Sequence, residues 1–203
     1  LGNSVEQPRF SAVDIEIPRA EGYKYVRAFD KAGRELPAQV NSVTETTMKV
    51  SVAACVPATG YTVVDVMYSK EPCKVNTGLR VGSRNMENFK YIVSIDDNGD
   101  ICSIVDKTIG DTELLNKPIR FELNKYKGAM EYAAWELRYK EINRYPWEFA
   151  KKGVCSVVES GPVRVTIKVQ QKAGKSTFTY YVSLAAGCPW VNVYNEVEWR
   201  EFR

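Results

Sequence analysis

The sequence predicts an all-β protein, and three observations carry that expectation. Apolar residues recur with period two along nearly the whole chain, as in strands with one buried face. No convincing amphipathic helix longer than a turn or two is present. Turn residues punctuate the alternating runs at short, regular intervals. The last fourteen residues show the pattern well. In WVNVYNEVEWREFR, Val191, Val193, Val197 and Trp199 share one parity, while Asn192, Tyr194, Glu196, Glu198 and Arg200 share the other.

The elements follow in order. AVDIEI places Val13, Ile15 and Ile17 on one face before Pro18. YKYVRAF comes next, then DKAGRE, a turn carrying Asp30 and Gly33. TMKVSVA alternates Met48, Val50 and Val52, and VPATGYTVVDVMY bends at Pro57 and Gly60 before running through Val63 and Val64. About five strands in residues 1–68 match the strand spacing of a small β-sandwich. SKEPCKVNTGLRVGSRN has no sustained period, and residues 69–84 read as a linker. From 85 to 203 a second β-region is expected. Phe89, Tyr91, Val93 and Ile95 alternate into DDNGD, and Ile101, Ser103 and Val105 alternate out. Asn98-Gly99 is a strong hairpin signal, because both positions tolerate positive φ. PIRFEL adds Ile119, Phe121 and Leu123. VRVTIKVQ and STFTYYVSL, turning at Ala173-Gly174, direct Val163, Val165, Ile167 and Val169, then Phe178, Tyr180, Val182 and Leu184, inward.

Composition narrows the chemistry. The 203 residues suffice for a real core, and 44% hydrophobic with 26% charged residues is ordinary for a globular protein. A net charge of +3, without a concentrated basic stripe, argues against nucleic-acid binding. No apolar run approaches the ~20 residues of a membrane span, so no membrane partner is expected. Cys55, Cys73, Cys102, Cys155 and Cys188 are scattered singly, which argues against a disulfide framework and for a reducing, cytoplasmic setting. The chain has no histidine. No Ser-His-Asp or Cys-His nucleophile system can be assembled from it, and no imidazole can bind a metal. The chain opens on Leu1 and stops inside an alternating strand, so it is expected to be part of something longer.

Three clusters resemble sites. DDNGDICSIVD is rich in carboxylates, but glycine falls at the fourth position from Asp96 rather than the sixth that an EF-hand loop requires, so a hairpin turn is expected and no metal site. Glu196 and Glu198 share one wet strand face with Arg200, an arrangement of surfaces rather than of a glycosidase pair. EYAAWELRYKEINRYPWEFAKKG is different: aromatic residues crowd there without a period. An aromatic segment of that kind packs on something, either its own sheet or a neighbouring domain, or it meets the flat face of a sugar. The candidate contact residues are Tyr132, Trp135, Tyr145 and Trp147. ESGPV, from Glu159, reads as a structural turn into a strand. No catalytic residue is assigned.

Several of these segments, in order, resemble the post-catalytic β region of family 38 glycoside hydrolases, the α-mannosidases. VPATGYTVVDV is similar to the family's Pro-Ala-x-Gly-Tyr segment. MENFKYIVSIDDNGDICSIVDKTIGDTELL is similar to its Glu-Asn strand, Gly turn and Ser-Ile-x-Asp-Lys segment. YAAWEL resembles Tyr-Asp-Ala-Trp, ESGPVRVTIKV the Glu-Ser-Gly-Pro segment, and VNVYNEVEWRE the strand ending in Asp-Trp-x-Glu. The family's Asn-Pro is absent around LGNSVEQPRF, and Glu136 and Glu198 replace its usual aspartates. The resemblance implies a small β domain followed by the first part of a large mutarotase-like supersandwich. It implies that retaining hydrolysis of α-mannosides is done elsewhere, by an N-terminal barrel carrying zinc, an aspartate nucleophile and an acid/base. The implied partners are that barrel, a helical domain of the same polypeptide and α-mannoside glycans, and this chain itself needs no cofactor. In the family the large sandwich continues, so the last strand is expected to leave an unpaired edge prone to association. A free-standing carbohydrate-binding module is the alternative. A mutarotase-like epimerase requires the missing histidine, and a plain adhesive sandwich leaves the ordered motifs unexplained.

Overall fold

The computed structural model describes residues 1–124, 135 and 139–201. Eight strands build the N-terminal part: β1 (Gly2–Asn3), β2 (Arg9–Pro18), β3 (Tyr25–Asp30), β4 (Glu35–Leu36), β5 (Ala38–Val43), β6 (Thr47–Val56), β7 (Gly60–Tyr61) and β8 (Val64–Ser69). One sheet has the order β2-β6-β5 and a second β4-β3-β8, while β1 and β7 form a two-stranded pair. Val26, Ala28, Ala38, Met48, Val50 and Val52 are buried between the two larger sheets. The ladders β1, β4 and β7 are two residues each, too short for periodicity to signal, and the six-residue β5 was not among the expected runs.

The second part holds β9 (Arg80–Val81), β10 (Asn85–Glu87), β11 (Tyr91–Ile95), β12 (Ile101–Asp106) and β13 (Thr112–Glu113) in one antiparallel sheet. β9 forms inside the expected linker, paired with Met86 and Glu87. β14 (Glu122–Leu123) pairs with β15 (Glu148–Phe149), and a single helical turn, α1 (Tyr139–Ile142), precedes the latter. A four-stranded sheet, β16 (Lys151–Ser160), β17 (Arg164–Ala173), β18 (Ser176–Ala185) and β19 (Asn192–Glu198), completes a second sandwich. Its core joins Met86, Val93, Ile95 and Ile101 to Val165, Ile167, Val169, Tyr180, Val182 and Leu184. The inward parity expected for β17 and β18 is the one observed.

Two expectations need correction. The hairpin at Asn98-Gly99 forms, but only Gly99 takes positive φ, at 87°. Gly99 N–H donates to Asp96 O at 3.0 Å, which centres the turn on Asp97 and Asn98. Gly99 then supplies the left-handed residue of a three-residue loop with a bulge, so asparagine is not asked to adopt that conformation. The other correction concerns β19, whose seven residues are all exposed, Val193 and Val197 included. It is an edge strand, and no described strand pairs with its outer side.

The residues of the Glu-Asn and Asp-Lys segments are cross-links. Lys107 Nζ lies 2.6 Å from Glu87, and Lys90 Nζ 3.5 Å from Asp106. Buried Asn88 accepts from the N–H groups of Lys90 and Tyr91 and donates to Ala185 O and Cys188 O. It thereby ties the start of β11 to the end of β18.

In the first sandwich Arg27 makes a two-pronged contact with Glu35, at 2.8 and 2.9 Å. The Arg27 guanidinium holds the Glu35 carboxyl down at about 2, against an ordinary 4.5. A carboxylate depressed on folding adds stability above its unfolded value, and that contribution fades as pH falls from 4.5 towards 2. Glu35→Gln is therefore expected to flatten the acid limb of a stability–pH curve measured by urea unfolding between pH 7 and 3, with an equally steep limb counting against it.

Candidate functional site

The aromatic segment is positioned by the β14–β15 ladder. Trp147 N–H donates to Leu123 O at 2.8 Å, and Ala150 N–H to Phe121 O at 3.1 Å. Tyr145 meets Phe149 edge-on at 5.8 Å, and the Arg120 guanidinium stands over that ring, 4.6 Å from its centroid. Beneath this layer Phe121 packs on Phe178 and Tyr180, at 4.9 and 6.1 Å. At the end of the segment Phe149 pairs in register with Glu122, and the next residue, Ala150, is buried with Ala173 and Phe178. Tyr145 remains 88% exposed, Trp147 47% and Trp135 83%. Tyr145 and Trp147 are brought to the same strand start, two residues apart, whereas Tyr132 and Glu136 lie outside the described residues. A flat, exposed ring held rigidly by a packed neighbour can take the apolar face of a sugar.

Beside this layer the two sheets of the second sandwich part, and buried polar groups gather. Gln171 sits on the inward parity of β17, across from Phe178, and is 1% exposed. Its Nε2 donates to Asn98 O and to Asp100 Oδ1. Asp100 is buried, and loss of water pushes its carboxyl above the usual range. Tyr180 Oη donates to Gly99 O, and burial raises its phenol well above its ordinary value. Gln171 Oε1 has no partner. An unmet interior acceptor costs ~1–3 kcal/mol. Sequence reading left Gln171 out, although a glutamine on the inward parity of an apolar strand was its signal.

The hairpin tip fits this corner because two glycines meet. Gly153 N–H donates to Asn98 O at 2.9 Å. A Cβ on Gly153 would lie 2.5 Å from both Asn98 O and Gly99 Cα.

A second polar centre joins the two sandwiches. Gln39 Oε1, on β5, accepts from the backbone N–H groups of Val163 and Arg164, both at 2.9 Å. Its Nε2 donates to Asn41, which donates in turn to Ser51. Arg164 grips Glu159 at 2.7 Å and reaches Asp14 of β2 at 3.2 Å. That pairing with Glu159 raises the guanidinium further above its already high value. The ESGPV turn is thus the socket for the first sandwich: a Cβ on Gly161 would sit 2.7 Å from Gln39 Cδ. This role reaches across 124 residues, so no local pattern announces it.

Other sequence candidates are surface groups. Glu198 is paired with neighbouring Arg200, at 3.0 Å to Nε, and Glu196 stands across from Thr179 on the outer face. All five cysteines are free thiols, with Cys188 buried and Cys55 exposed. Among the described residues no three His, Cys, Asp or Glu side chains converge as a metal site.

No curated protein matches the chain. The family model described as Glycosyl hydrolases family 38 C-terminal domain matches residues 86–202, more than half of the chain, and covers the second sandwich from Met86 in β10 through β19, all of it but β9 and Asn85. The chain belongs to glycosyl hydrolase family 38, within whose C-terminal domain this second sandwich falls.

Proposed function

We propose that the chain is the non-catalytic β portion of an α-mannosidase, a scaffold that braces a separate catalytic barrel and a helical domain of the same polypeptide. The observation that carries this reading is the family match over residues 86–202, in a chain without histidine. In the parent, retaining hydrolysis of α-mannosides proceeds through a covalent glycosyl intermediate formed in the barrel. The barrel also holds zinc, and this chain's described residues do not fit that ion: no imidazole is present and no carboxylate–thiol cluster converges. The scattered free thiols suit a reducing, cytoplasmic setting.

The test is an assay of the purified 203-residue chain with para-nitrophenyl α-mannoside and added zinc. No nitrophenol release is expected from it, whereas the longer parent polypeptide releases mannose with retained anomeric configuration by NMR. Turnover by the 203-residue chain itself overturns the scaffold role.

The exposure of Trp135 and Tyr145 favours a second part of the reading, that the aromatic segment touches α-mannoside glycans, as a free-standing carbohydrate-binding module would. Tryptophan fluorescence titrated with methyl α-mannoside should then change saturably and lose that response in Trp135→Ala. An unchanged response in that variant counts against Trp135 as a contact.

A further inference from the structure

The hairpin tip carries a reactive dipeptide: Asn98-Gly99 is the one Asn-Gly pair in the sequence. Asparagine is a thermolabile residue, and a following glycine has no Cβ to obstruct attack by its nitrogen on the side-chain amide. The Gly99 nitrogen bonds to Asn98 Cγ, the Cγ–Nδ2 bond breaks, and the Gly99 proton leaves with Nδ2 as ammonia. Water then opens the five-membered imide at either carbonyl. Opening at Cγ leaves aspartate. Opening at the former backbone carbonyl leaves isoaspartate, with the chain rerouted through Cγ. Water is the only co-reactant.

Asn98 is exposed, so water reaches its amide, whereas Gly99 is buried. To close the ring, the peptide plane between the two residues must turn about the Asn98 Cα–C bond. Both edges of that plane are held. On one edge Gly99 N–H donates to Asp96 O at 3.0 Å. On the other, Asn98 O accepts from Gly153 N–H at 2.9 Å and from Gln171 Nε2 at 2.8 Å. Tyr180 Oη, donating to Gly99 O, fixes the next carbonyl as well. Space is equally tight, since a Cβ on Gly99 would meet Val169 Cγ1 at 2.8 Å and Gly153 Cα at 2.9 Å. The plane can turn only when these bonds break together, which is a local opening of the corner.

We propose that Asn98 is a deamidation site gated by this corner, silent while the hairpin tip is seated on β16 and β17 and reactive once it lifts away. The reaction also latches the open form. In isoaspartate the carbonyl that received Gly153 and Gln171 has become a carboxylate, and the chain is one backbone carbon longer. The new charge falls in a turn that already carries Asp96, Asp97 and Asp100. The tip no longer fits its seat, so an opening that ends in deamidation is recorded permanently.

The test follows the tryptic peptide Tyr91–Lys107, in which Asn98 is the only side-chain amide, by mass spectrometry and by chromatographic separation of the two products. In warm, mildly alkaline buffer the folded 203-residue chain should form isoaspartate roughly a hundredfold more slowly than the same chain unfolded in guanidinium. Gly153→Ala, which unseats the tip, should react at least about tenfold faster than the parent chain. Gln171→Met keeps the volume, removes a donor to Asn98 O and should accelerate the reaction likewise, which covers the case that Gly153→Ala does not fold. Lys152→Ala should keep the parent rate. Equal rates in the folded and unfolded chains overturn the gating, as does a parent-like rate in both Gly153→Ala and Gln171→Met. Isoaspartate-bearing chain that melts at the parent midpoint overturns the latch. No reaction in the unfolded chain removes the site altogether.

Discussion

Replacing Gln39 by alanine is expected to cost the chain about 2–5 kcal/mol, chiefly by stranding two backbone donors. Oε1 of this side chain is the acceptor for Val163 N–H and Arg164 N–H, and Val163 is fully buried. A buried donor left without a partner costs ~1–3 kcal/mol, and two are stranded together. Gln39→Met separates this cause from lost volume. It fills the same space with no acceptor, so it should be nearly as damaging as alanine; a methionine variant as stable as the parent would show that packing, not hydrogen bonding, holds the joint. Gly161→Ala attacks the same contact from the other side, since its methyl would press on Gln39 Oε1 and Cδ. Combined with Gln39→Ala, the added methyl enters space already vacated. The two losses should therefore fall well short of additive, and urea unfolding of the four chains measures the coupling.

Gly153→Ala should destabilise by about 3 kcal/mol, at the upper end of what an overpacked methyl costs. The atoms it would meet, Asn98 O, Gly99 Cα and Gly99 N, are all backbone, so no side chain can swing aside. The clash also threatens the Gly153 N–H to Asn98 O bond, and with it the carbonyl that receives Gln171. For a chain of this size the loss corresponds to a melting midpoint lower by ~6–12 °C. Lys152→Ala, one residue away and solvent-exposed, is the control and should move the midpoint little. Equal midpoints for the two variants would mean that the hairpin tip and β16 separate at little cost, contrary to the close approach seen.

Much of this was legible because burial is a matter of parity. Val165, Ile167 and Val169 on β17, with Phe178, Tyr180, Val182 and Leu184 on β18, read directly as one face, and that face is the core. β19 carries the same alternation and stays exposed, because parity says which residues face the same way and not whether another sheet covers them. The turn at DDNGD was visible, but its type depended on whether two residues or three close the loop, a choice made by register and not by composition. The aromatic cluster was visible as a break in period, and Tyr145 and Trp147 are indeed exposed beside a packed ring. Gln39 and Gln171 were not. Each is a neutral amide inside a strand, and its importance comes from which distant backbone groups it meets.

The joint built by Gln39 has company. Thr77 donates to Pro162 O, Arg164 spans Glu159 and Asp14, and Phe10 lies so close to Gly187 that a Cβ there would meet its ring at 2.6 Å. These contacts fall on separate chain segments of both sandwiches, so no single loop can act as a pivot between them. Loosening one sandwich exposes unmet donors in the other, which makes the pair a single cooperative body, and thermal damage in either half is shared by both.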